Sequence, residues 1–125
     1  KSIDYIEYDT KLIIAPTNET TFYSMVYPRS SVSKYNLSLA NSVGIVDSGF
    51  RNTVKVRFRY VMQPEDIVMK DHKIEGVKIN TDKIYQNGDK IAQIVWCMHN
   101  HPFLNFTDTV PTSHRALSGF GSTGR

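Results

Sequence analysis

A single cysteine, Cys97, occurs in the 125 residues, which excludes a disulfide within the chain and any thiolate-rich metal site. It stands in the apolar run Ile94-Val-Trp-Cys-Met98, where the expected role is that of a small core side chain. No apolar stretch reaches the length needed to cross a bilayer, and no signal-peptide pattern opens the sequence. A soluble, intracellular protein, cytoplasmic or nuclear, is therefore expected. Concentrated charge is lacking too: 15 Lys and Arg against 12 Asp and Glu leave +3 at pH 7, spread along the chain. That excess is weak support for a nucleic-acid partner and suits a small polyanion equally well. Neither nucleic acid nor membrane is expected as a partner. A chain of this length makes one domain, 1–125, near the size at which oligomerisation often adds stability.

Helical periodicity is scarce, and no internal repeat or low-complexity tract occurs. Two-residue alternation takes its place, most clearly in Thr53-Val-Lys-Val-Arg-Phe-Arg-Tyr60. Val54, Val56, Phe58 and Tyr60 share one face there, with Lys55, Arg57 and Arg59 on the other, a half-buried strand with a solvated charged side. Residues 11–15, 22–27 and 91–96 are β-branched or aromatic runs that also predict strands. Only residues 31–38 suit a short helix or turn. Residues 62–87 are irregular and charged, with Ile67, Met69, Val77 and Ile79 spaced for an extra hairpin turning near Lys73 to Gly76. Many short strands with frequent turn signals predict an all-β sandwich or barrel. His99-Asn-His101, with His72 and His114 elsewhere, lacks a third clear ligand, so no metal site is assigned to the protein's own side chains.

Chemistry concentrates in four short segments. The last, Arg115-Ala-Leu-Ser-Gly-Phe-Gly-Ser-Thr-Gly124, sets one aromatic among glycines, hydroxyls and a cation. Such a flap can close over a nucleotide: glycines bring backbone N–H groups near an anion, Arg115 grips phosphate oxygens and Phe120 stacks on a base. Gly44-Ile-Val-Asp-Ser-Gly-Phe-Arg51 reads as a hairpin in which Asp47 can act as a general base, although Asp-Ser-Gly is also an ordinary turn sequence. Pro28-Arg-Ser-Ser31 and Gly88-Asp-Lys-Ile-Ala-Gln93 complete the set.

In chain order, 28–31, 44–51, 88–93 and 115–124, the four segments resemble the motifs of the trimeric deoxyuridine triphosphate pyrophosphatases (dUTPases). The resemblance runs from Tyr27 to Gly124 and is interrupted by one insertion, within 62–87. It implies a jelly-roll-like all-β fold with an extra hairpin-like insertion between the third and fourth motifs. It also implies hydrolysis of dUTP to dUMP and pyrophosphate, Mg2+ bound mainly through substrate phosphates and water, and a homotrimer with shared active sites. By the same resemblance Asp47 activates the attacking water and Gln93 contacts a phosphate oxygen or that water. Arg29, Ser30 and Ser31 contact phosphate, and Asn41, with the hairpin backbone at Gly44 and Val46, reads uracil. Phe50 stands where tyrosine is usual and lies against the deoxyribose. Arg115 and the Ser122/Thr123 pair hold the γ-phosphate, while Phe120 and Gly121 close over the base. Residues 115–125 are thus the expected flap, and residues 1–114 a β core without the family's first motif, Ala-Gly-Tyr/Phe-Asp-Leu. Lys1-Ser2 resembles the pair following that motif, so the natural product is expected to be longer. Asn52 stands where glycine is typical and is expected to tolerate a left-handed backbone. Two alternatives remain: a catalytically silent, nucleotide-binding regulator of the same fold, and the related dCTP deaminase, whose Arg-Ser-Ser motif is similar to residues 29–31.

Overall fold

A computed structural model describes residues 4–17, 21–100 and 102–113. Among them there are eight strands and no α-helix: β1 Ile6–Asp9, β2 Phe22–Pro28, β3 Leu37–Leu39, β4 Gly44–Val46, β5 Lys55–Tyr60, β6 Ile67–Lys70, β7 Lys73–Val77 and β8 Ala92–Met98. Single 3-10 turns fill Ser30–Lys34, Pro64–Asp66 and Thr81–Lys83. Two three-stranded sheets, ordered β1-β5-β3 and β4-β2-β8, and a two-stranded β6-β7 ribbon make up the fold, with every pairing antiparallel. The all-β class and the short turn after Arg29 follow the sequence expectation.

Alternation along β5 decides which side is core. Val54, Val56 and Phe58 are buried while Lys55, Arg57 and Arg59 are exposed. Phe58 is fully buried, a burial worth about 1.5–3 kcal/mol. Its ring meets Tyr8 edge-on at 5.9 Å and Tyr85 at 5.4 Å, and Tyr35 packs on Tyr85 at 4.4 Å. Val26 of β2, Leu37 of β3 and Val46 of β4 complete the buried cluster, so the two sheets share one core.

Two expectations are corrected. Residues 11–15 form no strand, because Lys11 takes a left-handed backbone (φ 60°) directly after β1. Val54 still bonds across the break, its carbonyl accepting from Thr10 N–H at 3.1 Å and its N–H donating to the Leu12 carbonyl at 2.8 Å. The hairpin turns at Asp71-His72, with φ of 50° and 61°, and not at residues 73–76. Both central residues are then left-handed, as the strand twist of a two-residue hairpin favours, a conformation usually reserved for Asn and Gly. The hairpin's root is tied to the core through one hydroxyl. Tyr60 Oη donates to Asp66 Oδ2 at 2.9 Å and accepts from Asn80 N–H at 3.1 Å and from Asn36 Nδ2 at 3.3 Å.

Candidate active site

The segment from Asn41 to Phe50 is shaped by one close approach. Gly44 pairs with Val26 on β2, and a Cβ at Gly44 would lie 3.2 Å from Asn41 Nδ2 and 3.4 Å from Val26 Cβ. Glycine therefore lets the Asn41 amide lie against the start of β4. Ser42 is the left-handed residue of this loop, at φ 60°, and Asn52 is not in the left-handed region. Strand alternation then sends Val46 into the core and Ile45 outward. Asp47 leaves the strand exposed. The turn after it is held by Phe50 N–H donating to the Asp47 carbonyl at 3.0 Å, and by Arg51 Nη1 donating to the Ser48 carbonyl at 2.7 Å and the Phe50 carbonyl at 3.0 Å.

Asn41, Gly44, Val46, Asp47 and Phe50 all line one cleft of about 580 Å³. Among the described residues the Asp47 carboxylate has no ion-pair partner, and Phe50 is 41% exposed. Carboxylate, amide and flat ring thus border one space. Part of the cleft's wall is basic: Lys55, Arg57 and Arg59 line it too. The sequence alone reads that stripe as a solvated strand face, and its place in the cleft is a finding of the structure. Glu7 on β1 is paired with Arg57 at 2.7 Å and Lys55 at 3.5 Å. The hydrogen bond from Arg57 holds the Glu7 carboxyl below its ordinary range, and the same bond raises the Arg57 guanidinium.

The second group lies elsewhere. Tyr27 and Pro28 at the end of β2 face Gln93 and Ala92 of β8, and Gln93 Nε2 donates to the Pro28 carbonyl at 3.0 Å. Arg29 and Ser30 follow, both exposed, with Ser31 half-buried in the 3-10 turn. Val32 N–H and Ser33 Oγ close that turn on the carbonyls of Arg29 and Ser30, at 3.0 and 2.9 Å. Asp89 shapes the turn before β8: its carboxylate accepts from Gln86 N–H at 2.7 Å, and Gly88 is left-handed at φ 90°. None of Arg29, Ser30, Ser31 and Gln93 lines the Asn41–Asp47 cleft. Gln93 instead borders a cavity of about 810 Å³ with Tyr8, Leu12, Val26 and Ile91. The expected flap residues Arg115, Phe120, Gly121, Ser122 and Thr123 lie outside the described residues.

These two antiparallel sheets over a shared core, with a glycine-tight hairpin opening on a cleft, have close counterparts among solved structures. A dUTPase mutant of Staphylococcus bacteriophage 80alpha with dUpNHpp superposes with a TM-score of 0.70, at 17% identity, over 97% of this chain and 76% of that one. A mutant dUTPase of phage phi11 of S. aureus, described with a structural Mg(II) ion, gives 0.61 at 16% identity, over 84% and 72%. The fold is therefore of the dUTPase class. No protein-family model matches, but sequence relatives do. The deoxyuridine 5'-triphosphate nucleotidohydrolase of Tropheryma whipplei (strain Twist) is 33% identical over 110 residues, covering 83% of this chain and 61% of its own length. That of Leifsonia xyli subsp. xyli is 30% identical over 106 residues, covering 82% and 58%. By sequence and by fold the chain is similar to the dUTPases. It spans about three fifths of the length of the curated relatives it matches. No described helix is long and apolar enough to cross a membrane.

Proposed function

We propose that the protein of which this chain is part hydrolyses dUTP to dUMP and pyrophosphate. The observation that carries the reading is the meeting of Asn41, Asp47 and Phe50 in one cleft. Asp47 takes a proton from a water held in line with the α-phosphorus, and the P–O bond to the leaving pyrophosphate breaks as the new one forms. Asn41 offers a donor and an acceptor to the edge of uracil, so a base with the reversed pattern leaves buried polar groups unpaired. Phe50 lies against the sugar and leaves no room for a 2′-hydroxyl.

Phosphate contacts come from Arg29, Ser30 and Gln93, which do not reach the Asp47 cleft of their own chain. Their separation supports a homotrimer in which the second and fourth motifs of one subunit meet the third motif of a neighbour, with residues 115–125 of the remaining subunit as the closing flap. The described residues include no group of three His, Cys, Asp or Glu able to hold a metal. Mg2+ carried on the phosphate oxygens would neutralise charge on the phosphate chain.

Pyrophosphate release by the full-length protein from dUTP, UTP, dCTP and dTTP tests this reading. Release from dUTP alone, abolished by Asp47→Asn, is expected. Comparable turnover of UTP would remove the assigned role of Phe50, ammonia release from dCTP would favour the deaminase, and a monomer in solution would overturn the shared site.

A further inference from the structure

The basic wall of the cleft is used by none of the roles above. Lys55, Arg57 and Arg59 alternate on β5 and so project from one face of the β1-β5-β3 sheet at intervals of about 6.7 Å. Their compensation is unequal. Glu7 pairs with both Lys55 and Arg57, and the Arg57 guanidinium also lies 4.3 Å from the centre of the Tyr5 ring. Arg59 stands opposite Ser38 of β3, is exposed, and has no carboxylate partner among the described residues. Among the described residues, Asp47 is the only acid that lines the cleft. Arg59 therefore carries a positive charge with no carboxylate paired to it among the described residues, opposite Ser38, while the loop that carries Asn41 adjoins Arg57 through the Ala40 N–H bond to the Arg57 carbonyl.

We propose that Arg59, backed by Arg57 and Lys55, forms an anion subsite of this cleft that takes free inorganic pyrophosphate. A guanidinium presents paired N–H donors that match phosphate oxygens, and it stays charged at any working pH. Cations on alternate positions of one strand can engage both ends of a diphosphate. The choice of pyrophosphate over other small anions rests on the reading that the reaction releases it; the arrangement of cations does not.

Calorimetric titration of the full-length protein with inorganic pyrophosphate alone tests the proposal without turnover. Binding should weaken as salt rises and fall at least tenfold in Arg59→Gln, with partial recovery in Arg59→Lys. Circular dichroism should show that these exposed substitutions leave the fold intact. Absence of pyrophosphate binding, or equal affinity in Arg59→Gln, would overturn it. So would loss in Arg29→Gln with retention in Arg59→Gln, which places the anion at the other group. Pyrophosphate binding that depends on Arg59 in a protein that leaves dUTP intact would uphold this inference and sink the proposed reaction.

Discussion

Gln93 and Pro28 are joined across the β2-β8 pair by a 3.0 Å hydrogen bond from the side-chain amide of one to the main-chain carbonyl of the other. The bond falls where β2 gives way to Arg29 and Ser30, so Gln93 sets the direction in which the proposed phosphate contacts leave the sheet. Because the pair is exposed and neutral, its loss should cost only about 0.5–1.5 kcal/mol of stability. Misplaced phosphate contacts cost more in rate than in stability. Gln93→Ala is expected to lower kcat/KM for dUTP at least tenfold while moving the denaturation midpoint little. Steady-state kinetics beside urea unfolding checks this, and an unchanged kcat/KM would remove the role.

Gly44 makes a sharper test of the hairpin. A methyl group there would press on the Asn41 amide at 3.2 Å, and that amide must yield by a few tenths of an ångström. Gly44→Ala is expected to raise KM for dUTP about three- to tenfold through displacement of Asn41, with stability changed by about 1 kcal/mol or less. Gly49→Ala is the control: a Cβ there meets no heavy atom within 4 Å, and its φ is not in the left-handed range. KM values that move equally in both variants would contradict the assignment of Asn41.

How much of this was readable beforehand depends on where the information resides. The β5 alternation fixed the buried face through Val54, Val56 and Phe58, since one strand's pattern is local. The residues of the Asp47 cleft were legible as motif positions, but the basic wall was not. Lys55, Arg57 and Arg59 look like any solvated strand face until β4 and the Asn41 loop are placed beside them. Likewise, nothing local shows that Gln93 reaches Pro28, 65 positions away. The hairpin turn was misplaced because Gly76 suggested a bend, whereas the structure strains Asp71 and His72 into the left-handed region and leaves Gly76 in β7.

Acid should loosen the β1-β5 edge. Arg57's hydrogen bond is the chief cause of the depressed Glu7 pKa, which lies below its ordinary value of 4.5. A carboxylate depressed in the folded state adds stability above its unfolded pKa, and that stability is lost as pH falls through the folded value. Asp9 behaves the same way, held down first by the Lys11 backbone N–H. Glu7→Gln should therefore be less stable than the parent at neutral pH, with the difference shrinking as pH falls from about 5 towards 3. Urea midpoints at several pH values read this directly, and a gap that widened on acidification would contradict it.

The core holds one polar atom that does nothing for it. Tyr85 is 3% exposed, its ring contacts Tyr8, Tyr35 and Phe58, and its backbone carbonyl accepts from Tyr8 Oη at 3.0 Å. Its own hydroxyl is buried with no hydrogen-bond partner among the described residues. An unpaired buried hydroxyl costs about 1–3 kcal/mol of desolvation, while removing a single oxygen leaves too small a gap to cost as much. Tyr85→Phe is expected to match or exceed the parent's stability, by up to about 1 kcal/mol. Tyr85→Ala empties the ring cluster and should lose about 3–5 kcal/mol. If Tyr85→Phe instead lost more than about 1 kcal/mol, the hydroxyl would have to be satisfied by an internal water, which supports buried polar groups in this way.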